Sequence, residues 1–347
     1  MRKLLFIQAE YIGIEPSLAW AYSVRGDLIN SLSTFFEIDV LYSTESCHLL
    51  EKWCTEKEYS YIFINDISHL EYDNDLSLPL NVLLEQKNKG VKIIGNSIET
   101  ILHNNKILEH IYYHRLQKFE KYKFLYDLII CNDYLDSELM KKMNIKTLYR
   151  PFSLSEEFFN LNKNIDKKYE LLFLGTLYPL RSSFIKRSEY LSQITLGNLN
   201  YSSDELIIIQ QLKNSLKKIS DISSYNSISK NIELIRKNYF IKMLNILSSS
   251  KIILNLPSIF KGIPCRVVES FFANTIFLSN IPRTSHEVNL MKNSNKCFFY
   301  DENDISDFDA VIKNLKETDV NNDYFLINKV FTSEYCSELM SKIINKL

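Results

Sequence analysis

Glycine is scarce in this chain, with 7 among 347 residues where ordinary usage is about 7%. No G-x-x-x-x-G-K-[ST] or G-x-G-x-x-G loop is present, so the usual backbone cradles for phosphate are excluded. Any phosphate must then be held by helix termini and side chains. No apolar run approaches the ~20 residues that cross a bilayer. The start, MRKLLFIQAE, has a short apolar stretch before Gln8 and Glu10 and reads as a first strand, not a signal peptide. The six cysteines (Cys47, Cys54, Cys131, Cys265, Cys297, Cys336) contain no C-x-x-C pair, which predicts reduced thiols in a cytoplasmic protein, at most peripheral to the inner face of a membrane. Cys47, His48 and Cys54 form the one local cluster, on a polar helix-like segment where no zinc is expected. The net charge of −1 supplies no general field for nucleic acid, so no nucleic-acid partner is expected.

What is present is an ordinary globular composition, 46% hydrophobic and 24% charged, long enough for two domains. Short apolar runs alternate with helical patterns. KLLFIQA (3–9), EIDVLY (37–42), SYIFIND (60–66), VKIIGN (91–96), DLIICND (127–133) and IKTLYRPF (145–152) read as strands. Helices fall between them, at about 18–32, 99–125 and 134–144. The pattern lapses over the polar stretch 153–168 and restarts at YELLFLGTLY (169–178). Helical segments are expected near 180–193, 204–219 and 229–249, and strands at KIILNLP (251–257) and NTIFLSN (274–280). Buried strands alternating with helices predict parallel sheets covered on both faces. The expected architecture is two doubly wound, Rossmann-like α/β domains, 1–152 and 169–331, facing a central cleft. A last helix, 332–347, carries an apolar stripe (Tyr335, Leu339, Ile343, Leu347) suited to packing back on the first domain.

The chemistry concentrates at the strand ends of the second domain. FLGTLYPLRSSFIKR (173–187) turns at Gly175 and supplies Tyr178, Arg181, Lys186 and Arg187. ILNLPS (253–258) leaves its strand at Asn255, and GIPCRVVE (262–269) opens a helix. Pro264 belongs near its first position, and the unsatisfied N–H groups there favour an anion. Arg266 can grip phosphate oxygens bidentately. Glu269 shares its helix face three residues on and can accept hydrogen bonds from ribose hydroxyls. Arg181 and Arg187 could complete a charge cage. The plainer alternatives are a surface ion pair for Arg266 and Glu269, a solvated helix residue for Arg187, a turn former for Asn255, and a packing role instead of base stacking for Tyr178.

FLGTLYPLR, KIILNLP, GIPCRVVESFFANTIFLSN and the late YDENDISDFDAVIKNL helix together resemble the nucleotide-binding half of GT-B glycosyltransferases, most closely the CgeB-like group of family-one type. The resemblance covers about 170–330. Where such proteins place a small turn after the helix, this chain has FFAN, and Asn274 can supply the left-handed C-cap. The resemblance implies a nucleotide-sugar donor, with Glu269 on the ribose, Arg266 on the diphosphate, and Arg181 and Arg187 neutralising the departing nucleoside diphosphate. Ile263, Pro264, Val267, Gly175, Tyr178 and Asn255 complete the implied donor site. No metal and no cofactor are implied. The competing readings are a non-catalytic nucleotide-sugar-binding protein and a sugar-nucleotide epimerase.

The acceptor side is less determined. Glu99, past VKIIGN, is the candidate base; Asp66, His69 and Glu10 compete for the role. His103, His110 and His114 share a helix without a carboxylate at ligand spacing. Asp73-Asn74-Asp75 resembles a D-x-D metal motif but lacks a preceding strand.

Overall fold

The computed structural model describes residues 1–8, 27–42, 47–67, 78–98, 100–102, 109–160, 165–175, 177–197, 202–257, 262–292, 296–317 and 328–347. The chain divides into two compact units. Unit 1 comprises Met1–Pro151, Tyr201–Phe240 and Ser333–Leu347; unit 2 comprises Phe152–Asn200 and Ile241–Thr332.

Unit 1 is built on a six-stranded sheet in the order β2-β1-β3-β4-β5-β6. The strands are β1 (Arg2–Gln8), β2 (Phe36–Tyr42), β3 (Tyr61–Asn65), β4 (Lys92–Ser97), β5 (Leu128–Cys131) and β6 (Thr147–Tyr149), and every pairing is parallel. Leu4 to Ile7, Tyr61 to Ile64 and Leu128 to Cys131 are continuously buried, as expected of a sheet covered on both faces. Gly95, inside β4, sits where a Cβ would come within 2.9 Å of the Tyr126 ring and 3.0 Å of Ile67, so a side chain there would collide with the layer above. At the carboxyl ends, Asn96 donates to Asn65 and Asn65 to Gln8, each at 2.7 Å, a buried row of amides across three strands. Asp66 follows β3 in the left-handed region, with φ 68°.

The exposed edge of β2 is covered from far along the chain. Asn226 accepts the Val40 N–H at 3.1 Å and the Tyr225 hydroxyl accepts the Tyr42 N–H at 3.3 Å. The Tyr42 hydroxyl donates to Glu233 at 2.8 Å, and Glu233 pairs with the buried Arg236 at 2.9 Å. These residues lie on the helix Ile222–Ser248, so residues 201–240, expected with the second domain, group with the first. Its neighbour, Ser203–Leu216, begins with a Ser202/Glu205 capping box. The last helix, Ser333–Ile344, contacts the helix Asp27–Leu32. The expected stripe is not the one it buries: Tyr335 is exposed and Leu339, Ile343 and Leu347 are half-buried, while Cys336, Met340 and Ile344, one position on, are buried and the Ser333 hydroxyl donates to Asp27.

Unit 2 holds a five-stranded parallel sheet in the order β11-β10-β9-β7-β8. Its strands are β7 (Tyr169–Leu174), β8 (Thr195–Gly197), β9 (Ser250–Asn255), β10 (Ile276–Asn280) and β11 (Cys297–Tyr300). The short edge strands β8 and β11 were not anticipated. Leu171, Phe173, Ile252, Leu254, Ile276 and Leu278 point to one face, where they meet Phe184, Leu191, Phe308 and Ile312. The two-residue period leaves alternate side chains to the other face. Part of the polar stretch expected as a linker belongs here: Leu154 and Phe158 are buried, and Leu154 bridges to Thr332.

Candidate functional site

The order β11-β10-β9-β7-β8 reverses direction between β7 and β9, since the chain goes outward to β8 and then back across β7. Ligands of open parallel sheets bind outside the carboxyl ends at such a point. Leu171 and Leu172 of β7 pair with Ile252 and Ile253 of β9, so both strands end at the same level. Gly175 follows one and Asn255 ends the other.

Leaving β7, the chain passes Gly175 and Tyr178 into the helix Pro179–Ile185. The Arg181 guanidinium lies 4.4 Å from the Tyr178 ring centre and 5.3 Å from that of Phe173, within cation–π range of both. A Cβ on Gly175 would stand 3.1 Å from Phe173 and 3.7 Å from Arg181 Nη1, so glycine keeps this stack open. The Tyr178 hydroxyl donates to the Pro257 carbonyl at 3.2 Å, which fixes the ring beneath the cation. Burial pulls the Arg181 pKa down, and Arg266 adds to that while Tyr178 and Tyr300 oppose it. The Arg266 charge is therefore felt at Arg181.

On the β9 side, the helix Cys265–Phe272 has Pro264 as its N-cap, one position before the expected one, and all eight of its residues are buried. Arg266 and Glu269 do share a face, but inside the unit: their side chains are 5% and 0% exposed and meet at 2.5 Å. Arg266 Nη1 also lies 3.5 Å from the Met243 sulfur. The pair is thus a buried one, not a pair facing solvent. Val267 and Ile263 are core residues. Asn274 ends the helix with φ 52°, as its C-cap reading required, and the Thr275 N–H returns to the Ser270 carbonyl at 3.1 Å.

Asn255 donates to Ser279 and Asn280 at 3.0 and 3.1 Å, and its carbonyl accepts the Tyr300 hydroxyl at 2.8 Å. Burial and then Glu302 raise the Tyr300 pKa well above its ordinary value, against Arg181, so this hydroxyl remains a donor. Arg187 is exposed and spans the carbonyls of Glu302 and Asn303 at 3.2 and 3.3 Å. The structure thus gathers Gly175, Tyr178, Arg181, Asn255 and Arg266 around one strand-end region and employs Arg187 as a loop clamp. Ser279, Asn280, Tyr300 and Met243 are additions. The first three sit at strand ends, a position visible in NTIFLSN and CFFY, whereas Met243 gave no signal. Glu99, His69, Asp73, Asp75, Glu10 and His103 lie outside the described residues, and His114 is exposed. Among the described residues no cluster of three or more His, Cys, Asp or Glu side chains could hold a metal.

No family model matches the chain. Solved structures do. The Anabaena protein Alr3699/HepE, in complex with UDP, superposes with a TM-score of 0.52 at 10% identity over 100% of both chains. The fold is that of the GT-B proteins. S. aureus MnaA with UDP gives 0.52 at 11% identity over 100% of this chain and 96% of that one. An alpha-glucosyltransferase with UDP and a mismatched 13-mer DNA gives 0.52 at 12% identity over 99% of each. These likenesses establish two Rossmann-like domains; they do not single out the CgeB-like group. A curated relative, the DNA-directed RNA polymerase subunit beta'' of Plasmodium falciparum (isolate 3D7), is 28% identical over 240 residues, 64% of this chain. The chain spans about a quarter of that relative's length (24%), and the match assigns it neither family nor activity. Among the described residues no helix is long and apolar enough to cross a membrane.

Proposed function

We propose that this chain is a glycosyltransferase that takes a sugar from a nucleoside-diphosphate donor bound at the β7–β9 switch point of unit 2. The observation that carries the reading is Arg181 seated on the Tyr178 ring at the end of β7, with the Arg266 charge near enough to add to burial against it. A diphosphate between them offsets that repulsion, and more so as a negative leaving group develops. Arg181 reaches it from the Tyr178 platform, Arg266, buried against Glu269, acts on it by charge from within the unit, and the start of the helix Cys265–Phe272 adds its N–H groups. Glu269 is wholly buried, so ribose contact requires the pair to open; with the pair closed, Glu269 positions Arg266. Asn255, Ile263, Pro264 and Val267 shape the floor. Neither a metal nor a cofactor takes part, the acceptor is a hydroxyl compound, and Glu99 is the candidate base. The CgeB-like resemblance and a cytoplasmic location belong to this reading.

The likeness to a UDP-N-acetylglucosamine 2-epimerase at TM-score 0.50 and 10% identity favours one further reading, epimerisation of the donor sugar. Thermal shift with UDP, GDP and ADP tests the site. A bound nucleotide at 100 times its dissociation constant adds about 2.7 kcal/mol, and Arg181→Ala should abolish the shift. Product analysis then separates the readings. A transferase frees the nucleoside diphosphate, slowly even with water as acceptor, an epimerase returns an isomeric nucleotide sugar, and a binding protein returns neither. Absence of any nucleotide-dependent shift refutes all three.

A further inference from the structure

The amino-terminal edge of the unit 2 sheet lies opposite the strand ends that carry the nucleotide site, and it gathers a second polar cluster. Lys167 precedes β7, Ser248 precedes β9, Asn274 and Thr275 precede β10, and Lys296 precedes β11. These strands are neighbours and run parallel, so the residues before them share one edge. Ser248 is the last residue of the helix Ile222–Ser248, and Asn274 follows the helix Cys265–Phe272. The carbonyl ends of two helices thus meet here, a place that attracts cations.

Two lysines answer it. Lys167 Nζ donates to the Ser248 carbonyl at 2.7 Å and lies 3.4 Å from both the Asn274 carbonyl and Thr275 Oγ1. Lys296 Nζ donates to the Asn274 side-chain oxygen at 2.8 Å. One asparagine therefore meets two amines, one at its backbone and one at its amide. The acceptors of Lys167 are all uncharged, so none of them neutralises the second charge. Lys167 as a whole is exposed, but its amine is turned onto Ser248 and Thr275, each 1% exposed. Burial of the amine, and then the Lys296 charge, pull its pKa down to about 8. Desolvation and a neighbouring cation are the two ways in which a lysine becomes a nucleophile.

The neighbours also select what such an amine retains. A carbamate formed with carbon dioxide sets a negative charge against the Ser248 and Asn274 carbonyls. A protonated imine formed with an aldehyde keeps a positive charge beside Lys296. An amide does neither, and its N–H still donates to the Ser248 carbonyl. We propose that Lys167, held with Lys296 on Asn274, is an acylation site that reacts with small activated acyl donors of the acyl phosphate class. The neutral amine attacks the carbonyl carbon and a C–N bond forms. The C–O bond to phosphate breaks, phosphate leaves with the electron pair, and the amine proton passes to solvent. The product replaces two adjacent cations by one. The proposal does not rest on the nucleotide site.

The test uses the full chain and acetyl phosphate, with acetylation located by tandem mass spectrometry. Lys168, adjacent and exposed, is the internal reference. Near pH 7.5 the gain in neutral amine outweighs the nucleophilicity lost with basicity, so Lys167 should react about tenfold faster than Lys168. Its rate should level off above about pH 8, whereas an ordinary lysine levels off only above about pH 10. Lys296→Met removes the neighbouring charge, and should slow Lys167 at least threefold and move its levelling-off to higher pH. Should that variant fail to fold, the parent chain decides alone, through the ratio to Lys168 and the pH profile. The proposal is overturned if Lys167 reacts no faster than Lys168, or if its rate climbs to pH 10 without levelling. It is equally overturned if folded Lys296→Met is acetylated at Lys167 as fast as the parent, since the two lysines would then be helix-end caps alone.

Discussion

Cutting one partner of the Arg266–Glu269 pair should destabilise unit 2 strongly, and cutting both should not. The two groups meet at 2.5 Å with side chains 5% and 0% exposed, so each lone variant strands a charge away from water. Removing one member of such a pair costs about 3–5 kcal/mol, whereas replacing both with apolar residues of similar volume is close to neutral. Arg266→Met and Glu269→Leu taken singly should each lower stability by that amount, about 6–20 °C in melting temperature for a unit of this size. Together they should return to within about 1 kcal/mol of the parent, a coupling energy of several kcal/mol in a double-mutant cycle. Tryptophan fluorescence cannot follow this, because Trp20 and Trp53 both belong to the stretch Met1–Pro151 of unit 1; far-UV circular dichroism in urea can. The double variant should still fail to bind nucleoside diphosphate, which separates loss of the ligand from loss of the fold. If all three variants unfold within a few tenths of a kcal/mol of the parent, the pair is solvated in solution and the burial argument is refuted.

Other expectations are narrower. Asn144, exposed with φ 59°, follows the helix Tyr134–Lys142; Asn144→Val should cost about 1–2 kcal/mol in urea unfolding, while Asn144→Gly costs nothing. All six cysteines are free thiols and five are buried, with the Cys54 thiol pushed up to about 12 by burial. Iodoacetamide at neutral pH should therefore label Cys47 first, read by peptide mass spectrometry, and a faster Cys54 would contradict its placement. Nucleotide binding and turnover should survive chelation, because the proposed cage is built from Arg181, Arg266 and a helix terminus; activity lost with chelator and restored by manganese would implicate Asp73 and Asp75 instead.

Local pattern carried much of the sheets. β1, β2, β3, β4, β5, β7, β9 and β10 fall within a few residues of the apolar runs that announced them, because a strand buried on both faces leaves a run of Ile, Leu and Phe. β8 and β11 escaped for the complementary reason. As edge strands of three and four residues with part-exposed faces, they bury too little to stand out. The Ser/Asn-rich stretch before Ile222 hid a well-formed start, Ser202-x-x-Glu205, whose capping box was there to be read. Nothing local, however, places residues 201–240 in unit 1. That follows from Tyr225 and Asn226 meeting strand groups more than 180 positions away. The site behaves likewise. Spacing placed Arg266 and Glu269 on one helix face and could not say that the face turns inward. Likewise, Tyr178 was legible as an aromatic at a strand end, but only three dimensions show Arg181 resting on its ring.

The way unit 1 is assembled from three stretches of chain has a consequence for synthesis. Tyr42 and the Tyr225 that shields it are 183 residues apart, which at the usual 5–20 residues per second is a wait of about 10–40 s. Asp27 waits longer still for Ser333, 306 residues downstream. During translation the sheet is therefore present with its β2 flank bare and hydrophobic, long after its own strands have left the ribosome. The first stretch of unit 2, Phe152–Asn200, is made within that interval, and the second, Ile241–Thr332, follows it. The vulnerable species is thus a nascent chain, not the finished protein, and holdase chaperones that occupy strand edges would act on residues 36–42 before the helix carrying Tyr225 arrives to displace them.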